Sequence, residues 1–200
     1  MTAKIHAKGI QTRDAILATA SRLFNKKGVF GTSVDDISRE MGIAKGTLYQ
    51  YFASKEDLAV KTVRWSEGIL LESLEEIAKE GPTDVETAMI EIARAFFGHF
   101  KEYGDFIGLY FSMPPETMVE YRAGDPPFSR IVGTFESLLR ARCAGFAEDL
   151  ADWELGTLAF MNLEAYRIET SGGVRDAARF EADIQRRMRF FAHGILQRSN

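Results

Sequence analysis

Apolar residues recur at intervals of three and four along most of the chain, and alternating stretches typical of β-strands are almost absent. This pattern predicts a long helix from Lys55 to about Lys79, which Gly81-Pro82 ends. Thr83 is followed three residues later by Glu86, the spacing of a capping box, so a second helix should begin there and run to about Tyr103. We therefore expect an all-α fold.

The helical pattern is interrupted once and then resumes. The segment from Met113 to Pro127 contains two proline pairs, which break helices, so we expect an irregular connection there. Three further helices are predicted at about 128–146, 149–170 and 174–197. Only Ser171-Gly172-Gly173 separates the last two, and such a short turn predicts antiparallel neighbours.

Residues 31–52 carry the most informative pattern, two short helices joined by a glycine turn. Thr32 or Ser33 can cap the first helix, since a hydroxyl there accepts from free backbone N–H groups. Gly42 stands where a left-handed residue would end it. Two helices at this spacing hold the second one out for the DNA major groove.

The second helix should start near Lys45, with Leu48 and Phe52 facing inward and small or hydrogen-bonding groups facing outward. A Tyr ring or a Thr methyl can touch thymine, Gln can pair with adenine, and Lys can reach phosphates. The alternative is a helical hairpin inside a core, with the aromatic residues as packing groups. The residues that we expect to contact DNA are Thr32, Ser33, Lys45, Gly46, Thr47, Tyr49, Gln50, Tyr51 and Lys55.

Arg13-Asp14-Ala15-Ile16-Leu17 opens a helix before this motif, the run 28–34 leads into it, and the run 46–58 closes it. Together these segments resemble the DNA-binding domain of the TetR family of bacterial transcriptional regulators, over about a quarter of the chain. The resemblance implies a three-helix helix-turn-helix domain at the N-terminus, residues 1–54. It also implies a larger helical domain for effector binding and dimerisation, residues 55–200.

The resemblance further implies a homodimer that pairs through its last two helices and releases a palindromic operator when a hydrophobic small molecule binds. The alternative is a DNA-binding dimer without such an effector. The last two helices carry more apolar positions than one hairpin can bury, unless the protomer's own core takes them all. Those positions are Leu155, Leu158, Ala159, Asn162, Leu163, Tyr166 and Ile168, then Phe180, Ile184, Met188, Phe191 and Ile195.

The net charge of −4 is unevenly distributed along the chain. Residues 1–64 carry eleven Lys and Arg against six Asp and Glu, whereas the remainder carries fourteen against twenty-three. A basic first part on an acidic remainder favours phosphate binding through one end of the protein. Lys4, Lys8 and Arg13 are either a basic arm or part of a solvated tail.

The middle of the chain is rich in aromatic residues and methionine, which favours an apolar or aromatic effector. Core packing is the alternative for each of these residues. His99, Asn162, Glu164 and Arg167 are the polar candidates for orienting a ligand. The expected ligand-binding residues are Phe96, His99, Phe100, Tyr103, Tyr110, Phe111, Phe135, Asn162 and Tyr166.

Motifs of catalysis and metal binding are absent from the sequence. The three histidines are isolated, and there is no Cys-x-x-Cys, phosphate-binding glycine loop or nucleophile elbow. We therefore expect neither an enzyme nor a cofactor or metal. The single cysteine, Cys143, is interpreted as a packing residue, with a redox role as the alternative. Because no apolar run is long enough to span a bilayer and no signal peptide is evident, a cytoplasmic protein is expected.

Overall fold

The computed structural model describes residues 2–117, 128–144, 146, 152–170 and 177–195. For some residues within the helices it describes the backbone but not the side chain. No β-strand occurs among these residues, which confirms the all-α prediction. In chain order the described helices are α1 (Thr2–Lys27), α2 (Val34–Met41), α3 (Lys45–Tyr49), α4 (Lys55–Ala78), α5 (Val85–Tyr103), α6 (Phe106–Phe111), α7 (Ser129–Arg142), α8 (Asp152–Thr170) and α9 (Ala177–Ile195).

The helix ends differ from the predicted ones at several places. Helix α1 begins at Thr2, well before the expected start at Arg13, and α7 ends at Arg142, before Phe146. The predicted turn 171–173 lies outside the described residues, as do the side chains of Lys4 and Lys8. None of the described helices is both long enough and apolar enough to cross a membrane.

Asp84 caps α5, so the prediction of a capping box that begins at Thr83 is wrong. The Asp84 carboxylate accepts hydrogen bonds from the backbone N–H of Thr87 at 2.8 Å and from its hydroxyl at 2.7 Å. These bonds, the backbone one first, hold the pKa of Asp84 below its usual range. Thr83 instead donates its backbone N–H to the carbonyl of Arg142 at 2.9 Å. The capping residue is therefore one position later in the chain than predicted.

Residues 1–69 and 100–125 form one compact unit, called here the first unit. Helix α1 packs on α2 and α6, and α2 packs on α3. The chain passes into the second unit inside α4, between Ile69 and Leu70. The side chains at the centre of the first unit are fully buried and apolar: Ile16, Leu17, Phe24, Ile37, Leu48, Phe52, Leu58 and Phe106.

The turn between α5 and α6 is tied to α1 by two side chains. Ser21 donates its hydroxyl to the carbonyl of Tyr103 at 2.5 Å, and Asn25 accepts the N–H of Asp105 at 2.7 Å. Between them Gly104 has a φ of 89°, and a Cβ there would lie 2.4 Å from the Asn25 amide nitrogen. A side chain at this position would break the turn on both counts.

Residues 70–99 and 126–200 form the second unit. Among its described residues, α7 and α8 pack against each other and approach closely at Gly156. A Cβ on Gly156 would lie 2.2 Å from the carbonyl oxygen of Val132, so only glycine allows this separation. The buried core of the second unit is Leu70, Leu74, Met89, Ile92, Phe96, Ile131, Phe135, Leu138, Leu155, Leu163, Ile184 and Met188.

Arg142, at the end of α7, is a buried charge that joins three segments of the second unit. Its guanidinium donates to Glu91 of α5 at 2.5 Å and to the carbonyl of Gly81 at 3.1 Å, and it lies 3.5 Å from the carboxylate of Glu80. Only 5% of Arg142 is exposed. Several partners are needed to keep a guanidinium charged away from water, and this arrangement supplies them.

Helix α8 has two apolar faces with different surroundings. Leu155, Ala159 and Leu163 are buried in the protomer's own core. The opposite face exposes apolar side chains at spacings of three and four residues, and on α9 Phe190 is 82% exposed. The protomer's own core therefore takes part of the predicted apolar set of α8, and the rest of the set remains exposed. The exposed stripe on α8 consists of Leu158, Met161, Ala165 and Ile168.

Candidate nucleic-acid interface

Helix α2 is fixed at both ends by local hydrogen bonds. Ser33 is its N-cap: the Ser33 hydroxyl accepts from the backbone N–H of Asp36 at 3.0 Å, and the Asp36 carboxylate accepts from the N–H of Ser33 at 3.0 Å. These bonds lower the pKa of Asp36. At the other end Gly42 has a φ of 65°, and the N–H of Ile43 reaches back to Ser38 at 3.0 Å. The two ends set the direction of the turn into α3.

Helix α3 holds its inner side in the core and its outer side in water. Leu48 is fully buried and Phe52 is 1% exposed, as predicted. Tyr49 is 47% exposed, and Gln50 beside it is exposed as well. Of the other residues predicted to contact DNA, Ser33, Lys45 and Gly46 are exposed, whereas Thr47, Tyr51 and Lys55 are half-buried.

Thr32 differs from the rest of the predicted set because its side chain points into the protein. It is 1% exposed, and its hydroxyl bonds the carbonyls of Gly28 at 2.8 Å and Leu23 at 3.2 Å. Its side chain closes the turn between α1 and α2. Of the two hydroxyls considered as caps for α2, Ser33 is the one that caps.

The two lysines of the predicted set already have partners within the first unit. Lys45, the first residue of α3, lies 2.9 Å from the Asp35 carboxylate on α2. This hydrogen bond, with the attraction of the two charges, raises the pKa of Lys45. Lys55 donates to the carbonyl of Val29 at 3.0 Å and so ties the start of α4 to the turn before α2.

Gly46 has open space where a side chain would be. A Cβ built on it meets nothing within 4 Å among the described residues, and its φ is not in the left-handed region. The fold therefore does not require glycine here, although a glycine inside a helix costs about 0.5–1 kcal/mol relative to alanine. The absence of a side chain leaves the α3 backbone open to close approach.

The residues predicted to bind an effector are divided between the two units. Phe100, Tyr103, Tyr110 and Phe111 belong to the first unit, where Tyr110 is 1% exposed and Phe111 is 65% exposed. Phe96, His99, Phe135 and Asn162 belong to the second. The side chain of Tyr166 lies outside the described residues.

Aromatic rings form a cluster in the second unit. Phe96 contacts Phe135 and Phe160, with ring centroids 6.2 and 6.3 Å apart, and Phe128 stacks on Phe160 at 6.0 Å. On the same helix as Phe160, the Asn162 side-chain oxygen is buried and accepts no hydrogen bond from the described residues. A buried amide oxygen of this kind needs a donor. Phe160 and Asn162 are two residues apart on α8, so their side chains lie on different sides of the helix.

Comparison with known proteins agrees with this geometry. Residues 16–61 match the family model described as bacterial regulatory proteins, tetR family. Residues 16–61 thus match the N-terminal domain of the TetR family. This confirms the resemblance seen in the sequence, and the matched residues include α2, α3 and the start of α4.

Similar proteins match this chain over only part of their own length. An uncharacterized HTH-type transcriptional regulator of Bacillus subtilis, YerO, is 33% identical over 103 residues, half of this chain and 35% of that protein. The negative transcriptional regulator IcaR of Staphylococcus epidermidis is 41% identical over 51 residues, 26% of this chain and 28% of IcaR. The chain thus spans about a third or less of the length of these two relatives.

Solved structures extend the likeness to the fold of the whole chain. Reduced NemR of Escherichia coli superimposes with a TM-score of 0.70 over 94% of this chain and 97% of that one, at 15% identity. This shows that the helical fold of the whole chain is similar to that of NemR. Among the described residues no group of three or more His, Cys, Asp and Glu could hold a metal ion.

Sequence reasoning missed the pair formed by Asp35 and Lys45. The two residues are ten positions apart on different helices, so no helical spacing joins them. In the sequence, the aspartate pair 35–36 indicates only a favourable first turn of α2, where carboxylates interact well with the helix dipole. The missed aromatic residue of the second unit is Phe160, which lies beyond the segment rich in aromatic residues.

We expect the free energy of unfolding to fall as the pH drops from about 6.5 towards 4, because of His99. The side chain is 5% exposed, and burial lowers its pKa from 6.5 to about 4. Within that range the unfolded chain binds a proton that the folded protein does not, so stability decreases as the pH falls and levels off below about 4. The loss is about 3 kcal/mol at most.

Urea unfolding at about pH 7 and about pH 5 checks this, since the ordinary carboxylates stay ionised between those values. His99→Leu should remove most of the pH dependence in that interval. The matched control, His193→Gln, changes an exposed histidine and should leave it intact. An unchanged pH dependence in His99→Leu would show that another group is responsible.

Proposed function

We propose that this protein is a DNA-binding transcriptional regulator, a homodimeric repressor that a hydrophobic small molecule releases from a palindromic operator. The observation that carries the proposal is the outer face of α3, where exposed Tyr49 and Gln50 stand beside the side-chain-free Gly46 in a TetR-family domain. The name of IcaR, a negative regulator, supports repression. Such a role belongs with the chromosome in the cytoplasm.

In this proposal each exposed group on α3 has one task at the DNA. Tyr49 and Gln50 face base edges in the major groove, where a ring can touch a thymine methyl and an amide can pair with adenine. Lys45 and the backbone at Gly46 contact phosphates, as do Ser33, Thr47, Tyr51 and Lys55 at the margin. Thr32 contributes through its backbone and the turn that it closes.

Gly46→Ala should separate DNA binding from stability. Because nothing fills the space at Gly46, alanine should leave the fold unchanged or stabilise it by up to about 1 kcal/mol. A methyl group there should hold the backbone away from DNA and weaken operator binding about tenfold or more, the equivalent of one or two lost hydrogen bonds. Fluorescence anisotropy would measure this with a duplex that the wild-type protein selects from a random library.

Gly98→Ala is the matched control, since Gly98 is an exposed helical glycine with equally open surroundings. It should gain similar stability and keep full DNA affinity. Tyr49→Ala should lose discrimination between the selected duplex and an unrelated one. Wild-type affinity in both Gly46→Ala and Tyr49→Ala, with the fold intact, would refute the DNA-binding assignment.

The proposed dimer pairs through the exposed stripe of α8 and through Phe190. One DNA-binding domain contacts only half of a palindromic site, so two must be held at a fixed spacing. Leu158, Met161 and Ile168 are 41%, 61% and 60% exposed in the protomer. Side chains of this size at spacings of three and seven residues are typical of helices that pair.

Met161→Asp should convert the dimer to a monomer at micromolar concentration, because pairing would then bury an unpaired carboxylate. Met161 is exposed in the protomer, so the fold should survive, unlike in a variant of the fully buried Leu163. Sedimentation should give about twice 22.4 kDa for the wild type and for the control Ser137→Asp, which adds the same charge to an exposed site on α7. A monomeric wild type would contradict the proposal.

The proposed effector binds against the aromatic cluster of the second unit. Edge-to-face and stacked rings there favour an apolar or aromatic molecule, and Asn162 would accept a hydrogen bond from its polar end. Binding then favours a conformation with lower operator affinity. If the second unit binds no small molecule, the protein is instead a DNA-binding dimer that works without an effector.

A screen of fatty acids, aromatic acids and cationic dyes should find compounds that raise the melting temperature and weaken binding to the selected duplex. The coupling must be reciprocal, so the duplex should weaken compound binding by the same factor. Asn162→Leu should weaken binding of a compound that carries a hydrogen-bond donor and leave DNA affinity unchanged. Compounds that bind the second unit without changing DNA affinity would contradict effector control.

A further inference from the structure

The Asp35 carboxylate competes for the same ammonium group that would contact DNA. Asp35 is the second residue of α2, Lys45 is the first of α3, and their charged atoms lie 2.9 Å apart. Both side chains remain about half exposed, at 56% and 49%. The pair therefore lies at the surface, within reach of solvent and of any polyanion that approaches α3.

Asp35 is not the capping residue of α2, and its position in the first turn gives it only the modest favourable interaction of a carboxylate with the helix dipole. The neighbouring Asp36 forms the capping box with Ser33, so the N-terminus of α2 is closed without Asp35. Helix α3 contains no acidic residue in its first turn. The carboxylate of Asp35 is thus the described group that neutralises the lysine at the start of α3.

We propose that Asp35 limits the affinity of this protein for DNA of any sequence by holding the Lys45 ammonium in the unbound state. The inference rests on the proposed DNA-binding function and assigns Asp35 as a positioning residue that acts through Lys45. A phosphate that takes the ammonium must displace the carboxylate, which then lies close to the negatively charged DNA backbone. Repulsion there lowers affinity without regard to base sequence.

The salt dependence of binding distinguishes this role from a structural one. A lysine that neutralises a phosphate releases a bound cation from DNA, which adds about 0.9 to the slope of log affinity against log salt. In the wild type the carboxylate released from Lys45 attracts a cation back, so the net release is small. Without Asp35 the full release should appear.

Asp35→Asn is the test, with a fluorescent duplex of arbitrary sequence as the probe, titrated between about 50 and about 200 mM salt. The variant should bind about fivefold more tightly at the lowest salt, the upper range for one exposed ion pair. Its salt slope should be steeper by just under one. Thermal unfolding of the variant should differ little from the wild type, because the Ser33–Asp36 cap is retained and one exposed first-turn carboxylate contributes at most about 1 kcal/mol.

Glu40→Gln is the matched control, because Glu40 is an exposed carboxylate on the same helix without an ion pair to any described residue. It measures the effect of removing one negative charge alone and should change affinity much less. In a Lys45→Gln background, Asp35→Asn should lose its advantage and behave like Glu40→Gln. This cycle isolates the part of the effect that passes through Lys45.

Two results would overturn the inference while leaving the proposed function in place. One is equal tightening by Asp35→Asn and Glu40→Gln. The other is a gain from Asp35→Asn that persists in the Lys45→Gln background. A wild-type protein that binds neither this duplex nor a selected one would instead refute the proposed function itself.

Discussion

Helix α3 is five residues long, too short to be stable in water by its own hydrogen bonds. Its position depends on the burial of Leu48 and Phe52 in the first unit, since these two side chains hold the inner side of the helix and its C-terminal continuation. Together they contribute about 3–6 kcal/mol by area burial, an upper range. The packed inner face therefore fixes the position of the outer face.

The two adjacent aspartates of α2, Asp35 and Asp36, have different partners. The Asp36 carboxylate accepts from the Ser33 backbone and caps α2, whereas the Asp35 carboxylate pairs with the ammonium of Lys45 on the next helix. Exposed ion pairs contribute little to stability. Their larger effect is on what else the surface can bind, because each cation held by a carboxylate is one fewer for a phosphate.

In the second unit, helix α8 has one apolar face in the core and a second apolar face on the surface. Gly156 lets α8 approach α7 closely, and Leu155 and Leu163 are fully buried in the protomer's own core. Met161 and Ile168, on the other side of the same helix, remain in water. A stripe of this kind has a hydration cost unless a partner covers it.

The sequence by itself determined the features that arise within one helical turn. Helical periodicity predicted the all-α fold, Gly42 and the inward Leu48, since neighbours three or four residues apart interact whatever the rest of the chain does. Even so, Thr83 carried a cap signature that Asp84 replaced, because the Thr83 backbone bonds Arg142 from a distant helix. Only the tertiary structure decided which hydroxyl of Thr32 and Ser33 turned inward, which face of α8 was core, and that Asp35 met Lys45. Those outcomes depend on how separate helices and turns pack against one another, which the periodicity within a single helix does not encode.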